Sequence, residues 1–314
     1  MKIAKGFFRG FHSGSEWQTG VRILVFHGVL KKMHRTRVHR NFHDVDDFKE
    51  IARYLRRLNP INVSDFKIGD KRQGTIITFD DGYANNFIAA ETFDKYKIPW
   101  TLFISAGCIG KTKLLWTVEL SLLLLHGNAN EVVVLNSRWD LGSSIKREKA
   151  FQTIRYQMKV MSMHQVISLM DELRSQFPPE ESLRLLEEFP EFMMLSWDEV
   201  RQLANAGVEI GSHGVMHAIH HQIQPQDVRT KELIDSKSII EEETGKTCQL
   251  FAFPNGDYNN NSSQEILSAG YAFGFSLKQK TVNKDFRGNI LPRLNAPGTL
   301  SSFVANYYWQ PNEG

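Results

Sequence analysis

Residues 75–83 read Thr75-Ile76-Ile77-Thr78-Phe79-Asp80-Asp81-Gly82-Tyr83. Ile76, Ile77 and Phe79 make a short buried strand. Two carboxylates follow at its C-terminal end, and a glycine then lets the chain turn. Adjacent side chains at a strand end diverge, so Asp80 and Asp81 can take two tasks side by side, for instance one on a metal and one on a water. An Asp-Asp-Gly turn alone is also ordinary loop chemistry. What gives it weight is a second stretch far downstream, Glu209-Ile210-Gly211-Ser212-His213-Gly214-Val215-Met216-His217.

Around these two stretches the chain alternates strand and helix. Val21–Phe26 is a strand ending in His27-Gly28. Residues 31–43 read as a basic, His-rich loop. Residues 46–58 carry Phe48, Ile51, Leu55 and Leu58 on one helical face. Residues 84–97 are a helix and 99–104 a strand. Residues 196–206 form a helix opened by a capping box of Ser196 and Glu199. Strands follow near 208–210, 249–253, 272–277 and 289–294, with helices at 227–244 and 262–269 between them. This βα rhythm predicts a parallel sheet or barrel. His27, Asp80, Asp81, His213, Asn255 and Arg293 all fall at or near C-terminal strand ends, the face on which barrel enzymes carry their active sites.

From about 107 to 195 the rhythm breaks. Helices near 114–125 and 146–174, and a short strand or hairpin arm at 131–135, read as an insertion without an obvious core of its own. The expected organisation is a basic N-terminal segment, 1–20, and a single domain, 21–314, interrupted by that insertion. No internal repeat or low-complexity tract is present.

At 314 residues, with 41% apolar and 23% charged residues, the chain is a globular α/β protein of single-barrel size. Two cysteines, Cys108 and Cys248, make no disulfide framework and fit a reducing compartment. Net charge is +3, but residues 1–40 hold nine Lys/Arg against Glu16, or +8, leaving −5 for the rest. The basic excess lacks an aromatic platform, which argues against nucleic acid as a partner. Residues 1–14 lack the continuous apolar core of a secretory signal, so the expected location is cytoplasmic. The basic segment is either a frayed or packed terminus or a peripheral anchor on the anionic inner face of a membrane.

His213 and His217 have i, i+4 spacing, which in a helical turn puts both imidazoles on one face. Two neutral imidazoles and one carboxylate, Asp80 or Asp81, suit zinc or another divalent transition metal, with positions left open for water.

The motifs Thr78-Phe79-Asp80-Asp81-Gly82 and Ser212-His213-Gly214-Val215-Met216-His217 resemble those of the polysaccharide deacetylase (NodB-homology) family, carbohydrate esterase family 4. Phe251-Ala252-Phe253-Pro254-Asn255-Gly256 is similar to a variant of its third motif. Val25-Phe26-His27-Gly28-Val29 and Leu291-Pro292-Arg293-Leu294 resemble members acting on surface polysaccharides. The likeness spans roughly residues 20–298, except the insertion.

The resemblance implies a distorted (β/α)7 barrel with a mainly helical insertion, and hydrolysis of an N-acetyl group to a free amine and acetate. It implies Asp80 as general base and Asp81, His213 and His217 as ligands of a divalent metal, Zn2+ first, with Co2+, Ni2+ or Mn2+ as alternatives. It implies Asn255 or the Tyr83 region as substrate-binding, supplying an N–H to the oxyanion. The chain departs from the family at the general acid, because residues 291–298 contain no histidine, and at the arginine that usually leads the third motif. Either His27 supplies the acid and Arg293 orients Asp80, or the site has lost its acid and is slow or inactive; the retained base and metal set favour the first. His221 stands as a further substrate contact, and the other histidines are assigned to solvent or loops.

The expected substrate is an N-acetylated carbohydrate: an aminosugar of a surface polysaccharide or its cytoplasmic, lipid-linked precursor. Two other classes remain open. One is another C–N hydrolase on this scaffold, a deformylase or a metal-independent amidase. The other is a carbohydrate-binding relative without turnover. The insertion is expected to lid the cleft or to mediate oligomerisation, and the sequence does not give the oligomeric state.

Overall fold

The computed structural model describes residues 20–31, 41–69, 71–110 and 112–308. The basic N-terminal segment therefore lies outside the described residues, as does most of the His-rich stretch after Leu30.

Eight parallel strand segments form one sheet in the order β11-β10-β9-β8-β5-β4-β1-β12. They are β1 (Val21–Phe26), β4 (Gly74–Phe79), β5 (Thr101–Ile104), β8 (Glu209–Ser212), β9 (Leu250–Ala252), β10 (Phe273–Ser276), β11 (Ile290–Pro292) and β12 (Leu294–Asn295). The last two are one stretch broken at Arg293. Its first half pairs with β10 and its second half with β1, so residues 290–295 bring the two edges of the sheet together. Counted as one strand, they make the seventh stave of a nearly closed barrel, as the resemblance implied. Closing the ring removes the exposed strand edge that an open sheet would carry.

Side-chain alternation divides the barrel into two cores. Val21 and Ile23 of β1 and Ile76 of β4 point inward, where they meet Phe103, Ala252, Phe275 and Leu291 from across the ring. Leu24, Phe26, Ile77 and Phe79 have the opposite parity and pack under the surrounding helices against Phe48, Ile51, Leu55 and Phe93. β1 and β4 are paired over all six residues, from Val21↔Gly74 to Phe26↔Phe79. Thr78 and Asp80 share the inward parity of Ile76, and the register therefore delivers Asp80 to the mouth of the lumen.

Two stretches differ from the sequence reading. The expected loop at 31–43 runs at its end into a strand, β3 (Phe42–Asp44), which pairs in parallel with β2 (Gly28–Leu30) just before the loop. The insertion between β5 and β8 has a core of its own. Helices Trp116–His126, Ser144–Met158, Met163–Arg174 and Glu181–Glu188 and the hairpin β6 (Glu131–Val134) and β7 (Ser137–Asp140) bury Leu120, Leu124, Val132, Ile154, Met170 and Leu185 together. That core was hidden because Trp116–His126 is apolar around most of its circumference, with no polar face to reveal a period. Glu119, its one acid, is buried and held bidentately by Arg174 at 2.8 Å. The same cluster runs on to Phe42, Tyr83 and Ile219 on the barrel rim, and so welds the insertion to the mouth of the site. Among the described residues no helix is long and apolar enough to cross a membrane.

Candidate active site

At the end of β4 the Asp80 N–H bonds to Phe26 O at 3.0 Å, the last rung of the ladder. Asp81 (φ 80°) and Gly82 (φ 95°) then turn the chain through the left-handed region. A Cβ at Gly82 would stand 3.0 Å from Ile104 Cγ2, so conformation and space both call for glycine there. Asp81 takes the same region with a side chain, a local cost of the order of 1–3 kcal/mol that neighbours must hold in place. Ser105 N–H and Leu195 N–H do so, donating to Asp81 O at 3.3 Å and Gly82 O at 2.9 Å.

Asp80 and Asp81 diverge as the sequence suggested. Asp80 meets Arg293, which is fully buried: Nη1 donates to Oδ1 at 2.6 Å and Nη2 to Oδ2 at 2.7 Å. Nη1 also reaches Thr78 Oγ1 at 3.1 Å, and Nε donates to Ser276 O at 3.3 Å. Burial alone would push the Asp80 carboxyl up. The Arg293 guanidinium outweighs it and holds the group below the ordinary carboxylate range.

Asp81 faces the two histidines. Its Oδ1 lies 3.5 Å from His213 Nε2 and 3.4 Å from His217 Nε2. The three ligand atoms all lie within 4.8 Å of one another. Donors 2.0–2.2 Å from a tetrahedral ion stand roughly 3.4 Å apart, which is the spacing of Asp81 from each of the two histidines. His213 Nδ1 is 2.7 Å from Ala252 O. A carbonyl can only accept, so Nδ1 carries the proton and Nε2 presents its lone pair toward Asp81. Burial lowers His213 to about 4, which keeps the ring neutral. Burial alone would raise the Asp81 carboxyl, but the hydrogen bond to His217 and the electrostatics of the neighbouring His27, His217 and His213 side chains outweigh it and hold the group below its ordinary value. Two imidazoles and one carboxylate oxygen, converging and buried, fit a divalent transition ion.

The i, i+4 histidines do not sit on a helix, contrary to the sequence reading. Residues 213–218 are a loop with Gly214 at φ 80° and His217 at φ 58°. The loop wraps one carboxylate, Glu232, which accepts Val215 N–H at 2.9 Å, Met216 N–H at 3.1 Å and Ala218 N–H at 3.4 Å. Glu232 takes the place of helical hydrogen bonds as the element that brings the two rings together. Trp116 Nε1 of the insertion donates to His217 O at 3.2 Å and fixes its far end.

The remaining expected residues line the same cavity of about 540 Å³. His27 follows β1, and its carbonyl accepts from Asn86 Nδ2 at 2.6 Å. Tyr83 is 3% exposed, and its phenol lies beside the Asp81 carboxylate. Burial, with the Asp81 charge beside it, keeps that phenol protonated far above neutrality. Asn255 (φ 59°) lies on the wall, where its side chain accepts from Lys159 of the insertion.

His221 does not reach the cavity. Its Nε2 meets Met161 O at 3.1 Å and its Nδ1 accepts from Gln224 N–H at 3.2 Å, both structural contacts. Nor are the other histidines all in solvent or loops. His43 lies under Phe26, and His220 is wedged between Phe251 and Phe253. Sequence reasoning missed Glu232, Arg155 and Lys159. All three are charged residues of charged helices, with nothing local to set them apart.

A β/α barrel with an Asp-His-His cluster and a second, arginine-held carboxylate at its mouth defines a class of hydrolase-like sites. A family model described as polysaccharide deacetylase matches residues 67–274, and the chain belongs to that family. YxkH of Bacillus subtilis, named for the same family, is 24% identical over 114 residues, 36% of this chain and 40% of that protein. The match thus spans less than half of that relative. Two solved structures share the fold. The Streptococcus pyogenes deacetylase PplD in complex with acetate is 14% identical at TM-score 0.58, covering 93% of this chain and 99% of that one. IcaB from Ammonifex degensii is 17% identical at TM-score 0.58, covering 93% and 97%.

Proposed function

We propose that this protein hydrolyses the N-acetyl group of an aminosugar within a polysaccharide, or within its precursor, releasing acetate and leaving a free amine. The reading rests on one observation above the others: Asp81, His213 and His217 converge with metal-ligand spacing beside Asp80, a carboxylate held by Arg293. Family membership and the shared fold support it.

In this reading Asp81, His213 and His217 hold a divalent ion, Zn2+ by preference. Bound there, such an ion would supply Lewis acidity toward the acetyl carbonyl and a water. That chemistry suits an Asp80 whose basicity is weakened by its arginine. Asp80 takes the proton of the attacking water on a lone pair that Arg293 leaves open. The water oxygen bonds to the acetyl carbon, the C–N bond breaks, and the amine nitrogen leaves with a proton from His27. Arg293 is a positioning residue that keeps Asp80 anionic and aimed. Tyr83 steadies Asp81, and Asn255 contacts the sugar or the acetyl group.

The test is elemental analysis of wild type and His213→Ala, with acetate release from an N-acetylated glycan measured on both. About one divalent transition ion per chain, lost in the variant together with acetate release, supports the reading. No ion in either protein after soaking with Zn2+ or Co2+ overturns it and leaves the metal-independent amidase.

A further inference from the structure

The insertion walls one side of the cavity. Round the ring the staves run β1, β4, β5, β8, β9, β10 and residues 290–295, and the seam between barrel and insertion follows four of them in turn. At the β4 end Ala84 N–H donates to Met193 O at 2.8 Å and Leu195 N–H to Gly82 O at 2.9 Å. Where the chain leaves β5, Gly107 N–H donates to Val215 O at 2.9 Å, in the loop after β8. Further along that loop Gln224 Oε1 accepts from Met163 N–H at 2.8 Å. At the β9 end Lys159 Nζ donates to Asn255 Oδ1. On the other flank the rings of Phe192 and Phe42 lie 5.4 Å apart between centroids, which carries the seam toward β1.

The wall is thick. Its inner surface includes Thr117, Val118 and Ser121 of helix Trp116–His126, which is buried on nearly every side. Leu120, Leu122 and Leu124 of the same helix belong to the second core. Swinging the wall aside would open that core to water, so it stands as a fixed boundary and not as a flap. Among the described residues the opposite sector, over β10 and residues 290–295, is lined by the barrel's own Leu277 and Asn295. A glycan that threads across the mouth needs an exit on each side. Starting from β10 and residues 290–295, the far exit would fall over β5 and β8, where the insertion rises from the barrel.

The geometry points to a blind pocket that takes the end of a glycan: the acetamido sugar that reacts is a terminal residue, and the rest of the molecule leaves over β10 and residues 290–295. Interior residues of a long chain are excluded, because the sugars on one side of them would run into the wall. The cavity of about 540 Å³ falls in the range of small-ligand pockets, about 300–1,000 Å³, and so takes a short segment. This deepens the deacetylase reading and rests on it for the reaction at that terminal residue.

The test uses the zinc-soaked protein and four probes: chitobiose, chitotetraose, chitohexaose, and chitotetraose blocked at both ends with adamantyl groups. Dissociation constants are measured by calorimetry, and products are mapped residue by residue by mass spectrometry. The blocked tetramer should bind at least about 10-fold more weakly than the free one, since whichever end enters meets the wall. Each free chain should lose one acetate, from a terminal residue. The kcat/KM per chain should stay within about 3-fold from dimer to hexamer, because a blind pocket gives longer chains no further contacts to convert into rate. Equal binding of the blocked and free tetramers, acetate from interior residues, or no binding of any probe overturns the blind pocket. Binding of the free probes alone, without zinc or acetate release, leaves the pocket standing and overturns the deacetylase reading. Zinc with acetate released from interior residues does the reverse.

Discussion

Arg293→Met removes the partner of a buried carboxylate and leaves its surroundings otherwise intact. The arginine is fully buried, and the Asp80 side chain is 3% exposed. Two charge-assisted hydrogen bonds to Asp80 disappear, with one to Thr78 Oγ1 and one to Ser276 O. Breaking a buried pair from one side costs about 3–5 kcal/mol, because the remaining charge stays desolvated and unpaired. At about 2–3 °C per kcal/mol, Tm should fall by roughly 6–15 °C. Asp80 should also titrate higher once the guanidinium no longer opposes burial. The acid limb of the activity profile should therefore move to higher pH, a shift that a merely structural arginine would not produce. Lysine should rescue little, since one ammonium cannot span both carboxylate oxygens and the two further acceptors. Urea unfolding and pH–rate profiles of Arg293→Met, Asp80→Asn and the double variant form a cycle whose coupling should exceed about 2 kcal/mol. Coupling near zero with an unmoved acid limb would refute the assignment of Arg293 as the residue that keeps Asp80 anionic.

Glu232→Ala frees the loop between His213 and His217 and should weaken zinc binding by about 10–100-fold in chelator competition; unchanged affinity would show that the barrel alone sets the loop. His27→Gln should lower kcat by about 10²–10⁴-fold while the protein still binds one zinc, and a wild-type kcat would remove His27 as the acid. Stability should be level above pH 6.5 and fall as acid is added below it. His43, His213 and His220 are lowered by burial from 6.5 to about 4, 4 and 3, so between those values the unfolded chain binds protons that the folded one refuses. Each contributes a slope of about 1.4 kcal/mol per pH unit in that window, and a urea midpoint constant from pH 7 to 5 would contradict their neutral burial. Asp80 adds a further loss below its unfolded value of 3.8.

The order of the strands in the barrel and of the helices between them outside the insertion, the strand-end positions of the acids and histidines, and the family were legible in the sequence. Each depends on short-range pattern: Ile76, Ile77 and Phe79 before Asp80, the Ser196–Glu199 capping box, the two motifs themselves. A backbone period or a cap is set by residues within a turn of one another, and such signals survive without a partner. The i, i+4 spacing of His213 and His217 misled for the same reason. Spacing reports helical proximity only where a helix forms, and Glu232 and two left-handed residues build a loop there.

What the tertiary structure alone decided is every contact that closes the ring. Arg293 meets Asp80 across 213 positions because residues 290–295 complete the barrel next to β1, and strand register then fixes which side chains face the lumen. The second core and the wall it raises from β4 to β9 belong to the same category. Trp116–His126 hid its polarity pattern by being buried nearly all round, and its Thr117 and Ser121 become part of a wall only through the cavity they face.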